Sequence, residues 1–414
     1  MKIAIICRAV YPFHGYGGMQ KYVFNLAKNL AKQNVDVEII TSSIGNNKIE
    51  TKKHDGIKYV FLKQKTGAAF EQDAINYRQE FSFKHFARTR IPKWILTPVR
   101  LIPAVGFLFY ETYKYHKFNL QVRDYLKKNN FDIIYGTGLS TLDYLREKKR
   151  NPVIVQAFGN ECFHVKSIEE KIGLIFFRRM LFKCMEKGDL IASEGEKQTE
   201  EIIHLFKVKK DKIFLLPDGV NLEEINNSKI KIKRNDLGID DKDLVLITVN
   251  RLVPLKGVIF IVKALKNVVK KVPNAKLIII GVGIEETNIY QLIKKEKLEN
   301  NVIHLKNIKD NELYNYLKLS DIYINHSLHP VLLISVLEAM ACKLPIITTN
   351  TQENTVINGK NGYIIPIYDS DAVAKAVLKL YIDKDTRKMG EQSFLMVRKY
   401  DWNKIVNNFI KNVL

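Results

Sequence analysis

Of the 414 residues, 66 are Lys or Arg and 44 are Asp or Glu, a net charge of +22, and 46% are hydrophobic. That apolar share excludes a disordered chain, and the length exceeds one ordinary core and predicts about two domains. The charge excludes an electrostatically neutral role and asks for an acidic partner: nucleic acid, an anionic membrane or a phosphorylated substrate.

The chain opens on KIAIIC (2–7), which predicts a first strand. Its apolar run is short and no small-residue cleavage site follows, so it does not read as a signal peptide. The loop YPFHGYGGMQ comes next, with Gly15, Gly17 and Gly18 just before a helix whose Met19, Val23, Leu26, Ala27 and Leu30 follow the 3.6-residue period. VDVEIIT (35–41), FDIIYG (131–136) and PVIVQAF (152–158) predict further strands. Near-continuous apolar strands alternating with helices are the pattern of a parallel sheet covered on both faces. The segment from about 64 to 116 lies outside that alternation. Within 81–118, aromatic and apolar residues interleave with Lys84, Arg88, Arg90, Lys93 and Arg100. That composition suits rings at headgroup level and cations on anionic lipid; a hydrophobic hairpin inside the first domain is the other reading. The longest apolar stretch, roughly Trp94–Tyr110, contains Pro98, Arg100 and Pro103 and does not predict a membrane span. KIGLIFFRRMLFKCMEK (171–187) predicts an apolar, basic helix, either a second lipid contact or an ordinary core helix.

A short strand, DLIAS, follows Gly188, and there the pattern restarts. Strands are predicted at 243–250, 275–281, 301–305, 321–325 and 345–349, with helices near 258–271, 285–298, 310–319 and 333–342 between them. Two doubly wound domains follow, 1–187 and 188–399, with a last helix at 400–414 packing back onto the first. The charge divides unevenly: residues 1–210 carry net +15, residues 211–414 net +7, and residues 81–130 alone net +8. Cys7, Cys162, Cys184 and Cys342 form no CxxC pair, which argues against a zinc site or disulfide framework and fits a reducing, cytoplasmic setting.

Three places carry chemistry. Gly17 and Gly18 at a helix start let backbone N–H groups approach a phosphate, although a tight turn needs the same glycines. TVNRLVPLKG (248–257) sets Arg251 and Lys256 just past a strand, where the forked guanidinium and the ammonium suit a diphosphate; two solvated cations are the alternative. Glu338, about one turn into a helix starting near 332–334, can accept from a pair of ribose hydroxyls, or be a first-turn acid favoured by the helix dipole. The DxD triplets Asp241–Asp243, Asp369–Asp371 and Asp383–Asp385 read as polar helix starts and not as metal ligands, Asp369 as an N-cap.

Taken in order, the glycine loop, LPDGVNLEEI (216–225), NRLVPLKG (250–257), IIGVG (279–283), DNELYNYLKLSDIYIN (310–325), LEAMACKLPIITT (337–349) and INGKNGYIIP (357–366) resemble family four of the retaining glycosyltransferases. The likeness implies an α/β GT-B fold: two Rossmann-like domains facing across a cleft, with a nucleotide-sugar donor held mainly by the second. It places Gly17, Gly18, Arg251, Lys256 and Ser335 at the donor diphosphate. It places Glu338 at the ribose, and Gly281, Gly283 and the backbone near Ile308 at the base. It implies no metal and no cofactor, the two cations neutralising the leaving diphosphate instead. Two positions depart from the family's pattern. Pro330, followed by Val331, stands where the first glutamate of E-x7-E is usual, and Phe158 stands where a sugar-contacting histidine is usual. His329, with His326 beside it, and Asn160, Glu161 and His164 are the nearby polar candidates.

The resemblance implies a hexosyltransferase that acts with retention; together with the cysteine usage and the basic aromatic segment it reads as acting on a membrane-lipid-linked or polysaccharide acceptor, cytoplasmic and peripheral on the inner membrane face. A second reading is a GT-B protein that binds nucleotide sugar without turnover or serves as a scaffold in glycan assembly. No recognition motif for nucleic acid accompanies the charge.

Overall fold

The computed structural model describes residues 1–15, 18–44, 48–65, 113, 115–156, 168–229, 231–306, 308, 310–328, 334–349 and 355–413. The basic aromatic segment therefore lies largely outside the described residues, as do Gly17, Phe158, Asn160, Glu161, Cys162, His164, His329, Pro330 and Val331.

The chain forms two compact units: Met1–Leu216 with Asn408–Leu414, and Pro217–Asn407. In chain order the first contains β1 (Lys2–Ile6), α1 (Gly18–Lys32), β2 (Asp36–Ser43), β3 (Glu50–His54), β4 (Ile57–Lys65), α2 (115–128), β5 (Ile133–Thr137), β6 (Val153–Gln156), α3 (Ile168–Lys187), β7 (Leu190–Ser193), α4 (Glu196–Phe206) and β8 (Ile213–Leu215). Its strands pair in the order β3-β4-β2-β1-β5-β6-β7-β8, parallel except for β3 against β4. The β3–β4 hairpin has no counterpart in the sequence reading, because ETKKH is exposed and charged and offers no apolar signal. Lys52 and Lys53 on this edge strand discourage pairing with another chain.

The second unit contains α5 (Leu222–Asn227), β9 (Val245–Val249), α6 (Val258–Val269), β10 (Lys276–Ile280), α7 (Glu286–Lys295), β11 (Val302–Leu305), α8 (Asp310–Lys318), β12 (Ile322–Asn325), α9 (Ile334–Ala341), β13 (Ile346–Thr349), β14 (Gly362–Ile365), α10 (Ser370–Asp383), α11 (Thr386–Val397) and the start of α12 (Trp402–Val413). Its six strands, β11-β10-β9-β12-β13-β14, are all parallel. Because side chains alternate along a strand, β9 sends Leu246 into one core with α6 and α10, and Val245 and Ile247 into another with α8 and α9. Both faces are thus covered, as the continuous apolar strands require.

The boundary differs from the expected one near Gly188. The strands after Gly188 complete the first sheet, Ile154 pairing with Leu190 and Ile191 with Ile213, so the first unit runs on to Leu216. The terminal segment also divides later than residue 400. Trp402 is buried in the second unit, and only Asn408–Leu414 belongs to the first, where the ring of Phe409 lies 6.1 Å from those of Tyr135 and Phe214. Asp369 is the expected N-cap, accepting from the Ala372 N–H at 2.8 Å. Asp241 and Asp243 are not at a helix start. They form the turn into β9, where Asp243 accepts from the Asp240 N–H at 3.0 Å.

Candidate functional site

In the second sheet β9 lies between β10 and β12, so connections leave its two sides in opposite directions. The carboxyl ends of β9 and β12 flank that switch point, where doubly wound sheets place ligands. The loop after β9 carries Arg251 and Lys256. It is fixed on both sides by backbone bonds: Leu252 N–H to the Val282 carbonyl at 2.9 Å, and Leu328 N–H to the Leu255 carbonyl at 2.8 Å. His326, fully buried, stacks on Phe260 with centroids 4.9 Å apart, and burial pulls its imidazole below the ordinary range.

Arg251 is exposed and Lys256 half-buried, and neither has a carboxylate partner among the described residues. Burial, and then the neighbouring Arg251 charge, pull the Lys256 ammonium down to about 8. Two like charges on one loop with no acid between them raise the energy of the empty protein. An anion bound to both relieves that cost, and a diphosphate matches a fork and a point charge together.

Ser335 and Glu338 lie on the first turns of α9. The buried Tyr323 hydroxyl donates to Ser335 Oγ at 2.9 Å, with the Val249 carbonyl 3.4 Å away. The hydroxyl thus sits between the end of β9, from which the Arg251 loop hangs, and the helix that carries Glu338. Ser335 Oγ keeps its own proton to donate. Glu338 is half-buried, and its charge contributes to raising the Tyr323 hydroxyl and the Cys342 thiol, both lifted chiefly by burial. Tyr323 was missed from sequence. The available signal was one ring with a polar tip in a strand otherwise suited to burial.

Gly281 and Gly283 stand at the end of β10. A Cβ on either would run into the Asn250 or Leu252 carbonyl oxygen, and Gly281 has φ +139°. Their identity is therefore set by the close approach of the Arg251 loop, which brings the two loops side by side. Ile308 is half-buried, its side chain packed against the core face that includes Leu313 and Leu317.

In the first unit the switch point falls between β1 and β5. The loop after β1 is braced by His14: Nδ1 accepts from the Val10 N–H at 3.2 Å, and Nε2–H donates to the Ser42 carbonyl at 3.0 Å. Phe13 wedges edge-on between Tyr59 and Phe61, with centroids 5.0 and 5.1 Å away. Gly18 begins α1, whose first turn holds no acidic residue. His14 and the Phe13 cluster were also unread in the sequence, since their partners lie on β2 and β4.

Among the described residues no group of three or more His, Cys, Asp or Glu is arranged to hold a metal ion, and no helix is long and apolar enough to cross a membrane.

The family described as Glycosyltransferase Family 4 matches residues 16–224, and Glycosyl transferases group 1 matches residues 229–396. A poly(glycerol-phosphate) alpha-glucosyltransferase of Bacillus subtilis is 32% identical over 177 residues, 42% of this chain but only 26% of that protein's length. An Escherichia coli UDP-Gal:alpha-D-GlcNAc-diphosphoundecaprenol alpha-1,3-galactosyltransferase is 26% identical over 294 residues, 69% of this chain and 73% of that one. Among solved structures, a sucrose-phosphate synthase from Thermosynechococcus elongatus superposes with a TM-score of 0.74 at 19% identity, covering 99% of this chain and 97% of that one. That likeness concerns the fold, two Rossmann-like domains of the GT-B class.

Proposed function

The chain belongs to glycosyltransferase family 4, and from that membership we infer that it moves a hexosyl group, with retention, from a nucleotide sugar to a lipid-linked or polysaccharide acceptor. The observation that carries the donor reading is the pair Arg251 and Lys256, unmatched by any acid among the described residues. In this reading the bond between the anomeric carbon and the diphosphate oxygen breaks while a bond to the acceptor oxygen forms on the same face. The acceptor's proton passes to the departing diphosphate. Arg251, Lys256 and Ser335 hold the diphosphate, and its growing charge is met by fixed cations. Glu338 takes the ribose hydroxyls, and the backbone at Gly281, Gly283 and Ile308 the base. No metal is required, because the two cations supply the charge a divalent ion would, so a chelator should leave turnover unchanged.

Lipid linkage draws support from the Escherichia coli relative, whose name specifies a diphosphoundecaprenol acceptor. The basic aromatic composition of 81–118 suits docking on the anionic inner face of a membrane. Phe158 and Pro330 favour a second reading, binding without turnover, with His329, next to Pro330 in sequence, as the candidate replacement for the missing acid. One experiment separates the two: incubation with a panel of nucleotide sugars and either membrane lipid extract or polysaccharide, with binding measured in parallel. Sugar transfer supports the enzyme. Binding with no transfer to any acceptor overturns it in favour of the second reading.

A further inference from the structure

The turn Gly281–Gly283 is held from a third side by side chains that the donor motifs do not include. His304 lies on β11, beside β10, in register with Ile279. Its Nε2 lies 2.7 Å from the Gly281 carbonyl oxygen and its Nδ1 lies 2.5 Å from the Tyr290 hydroxyl on α7. A carbonyl only accepts, so Nε2 carries the proton and donates to it. In the neutral ring Nδ1 then accepts from the Tyr290 hydroxyl. Protonation leaves both contacts possible, since the tyrosine oxygen can accept in turn. Two residues on, Lys306 reaches α7 as well, bonding Glu286 Oε2 at 2.7 Å, while Glu286 Oε1 accepts from the Gly283 N–H at 3.3 Å. The Gly281 end of the turn is thus tied to α7 through His304, and the Gly283 end is held by α7 directly through Glu286, which Lys306 pairs from just past β11.

Tyr290 is 44% exposed and His304 partly buried, so apolar packing does not account for this chain of bonds. Hydrogen-bonded relays fix geometry, and a backbone turn that reads a flat ligand gains from being fixed beforehand. We propose that Tyr290 and His304 are positioning residues for the nucleobase, holding the Gly281 carbonyl and its turn where the backbone meets the base. This rests on the reading that the turn lines the base site.

The test measures calorimetric affinity for uridine diphosphate, guanosine diphosphate and inorganic pyrophosphate. His304→Ala should weaken the nucleoside diphosphates by roughly three- to tenfold, the span of one or two hydrogen bonds, and Tyr290→Phe by less. His304→Gln, which keeps an N–H to donate, should recover most of the loss, and pyrophosphate should bind all variants alike. Val282→Trp, placing bulk at an exposed position of the same turn, tests the underlying reading. If it leaves nucleotide affinity intact, or if the native protein binds no nucleoside diphosphate, the base-site reading falls. If it weakens nucleotides while His304→Ala and Tyr290→Phe do not, the positioning proposal alone falls. Equal loss of pyrophosphate and nucleotide in His304→Ala, with a lowered melting temperature, would also overturn it, since that is general destabilisation.

Discussion

Each unit places a loop at the switch point of its sheet, and both pair cations with acids elsewhere, but the second leaves one loop unmatched among the described residues. In the first unit, cations set against the sheet and its loops are matched: Arg146 on Asp143 at 2.6 Å, Lys58 and Lys2 on Glu38 at 2.8 and 3.8 Å, and Arg150 on Asp189. In the second, Arg251 and Lys256 share a loop with no acid among the described residues. Yet residues 1–210 hold net +15 and residues 211–414 only +7. On the proposed reading, net charge is a poor locator of an anion site. What marks one is charge that the protein leaves uncompensated at a place where its sheet already opens a crevice.

The widest break in that contrast comes from removing the cations. Loss of both Arg251 and Lys256 to Ala should lower kcat/KM by at least about 10³-fold, each fixed donor being worth about 3–4 kcal/mol. Arg146→Ala, in the first unit, should change it by less than about twofold. Equal effects in initial-rate assays would erase the distinction. Next is Phe409→Ala, which empties a fully buried site beside Tyr135 and Phe214. It should cost about 3 kcal/mol in urea unfolding of the first unit and, on the proposed reading of the donor site, leave nucleotide affinity unchanged.

A smaller effect follows from Lys256. Its ammonium, lowered to about 8, must be charged to hold a diphosphate. Donor affinity should be full below pH 8 and decline as pH rises through it, by up to about tenfold per pH unit. Lys256→Arg should stay flat, because a guanidinium does not titrate there. The smallest concerns His14, whose imidazole burial holds below its ordinary 6.5. The unfolded chain then takes up a proton before the folded one, so stability is full above about pH 6.5 and falls as pH drops below it towards the folded value. His14→Gln should flatten part of that acid slope in thermal melts. His326 adds a slope of the same sign in the second unit, so the two variants together should flatten it further.

How much was legible followed the physics of each half. The second unit's strands are buried on both faces, so β9, β10, β12 and β13 announce themselves as apolar runs, and Arg251, Lys256 and Glu338 fall where spacing puts them. The roles of Gly281 and Gly283 were only half legible, because the carbonyls they accommodate come from 250–252, far away in sequence. In the first unit β3 is exposed and charged, and β8 is three residues long, too short to register as a period. That hidden β8 is why the boundary was read near Gly188 and not after Leu216. Tyr323, His14 and the His304–Tyr290 pair escaped for one reason: each acts through a partner on another strand or helix, and no local pattern encodes such a pairing.

The central claim, that unmatched cations on the second unit hold the donor's diphosphate, meets its most direct test in a paired titration. Nucleoside diphosphates and the corresponding nucleosides are titrated calorimetrically into the native protein and into Arg251→Ala. The account predicts that the diphosphate binds and weakens by about tenfold or more in the variant, while the nucleoside's affinity stays the same. Equal diphosphate affinity in both proteins would contradict it.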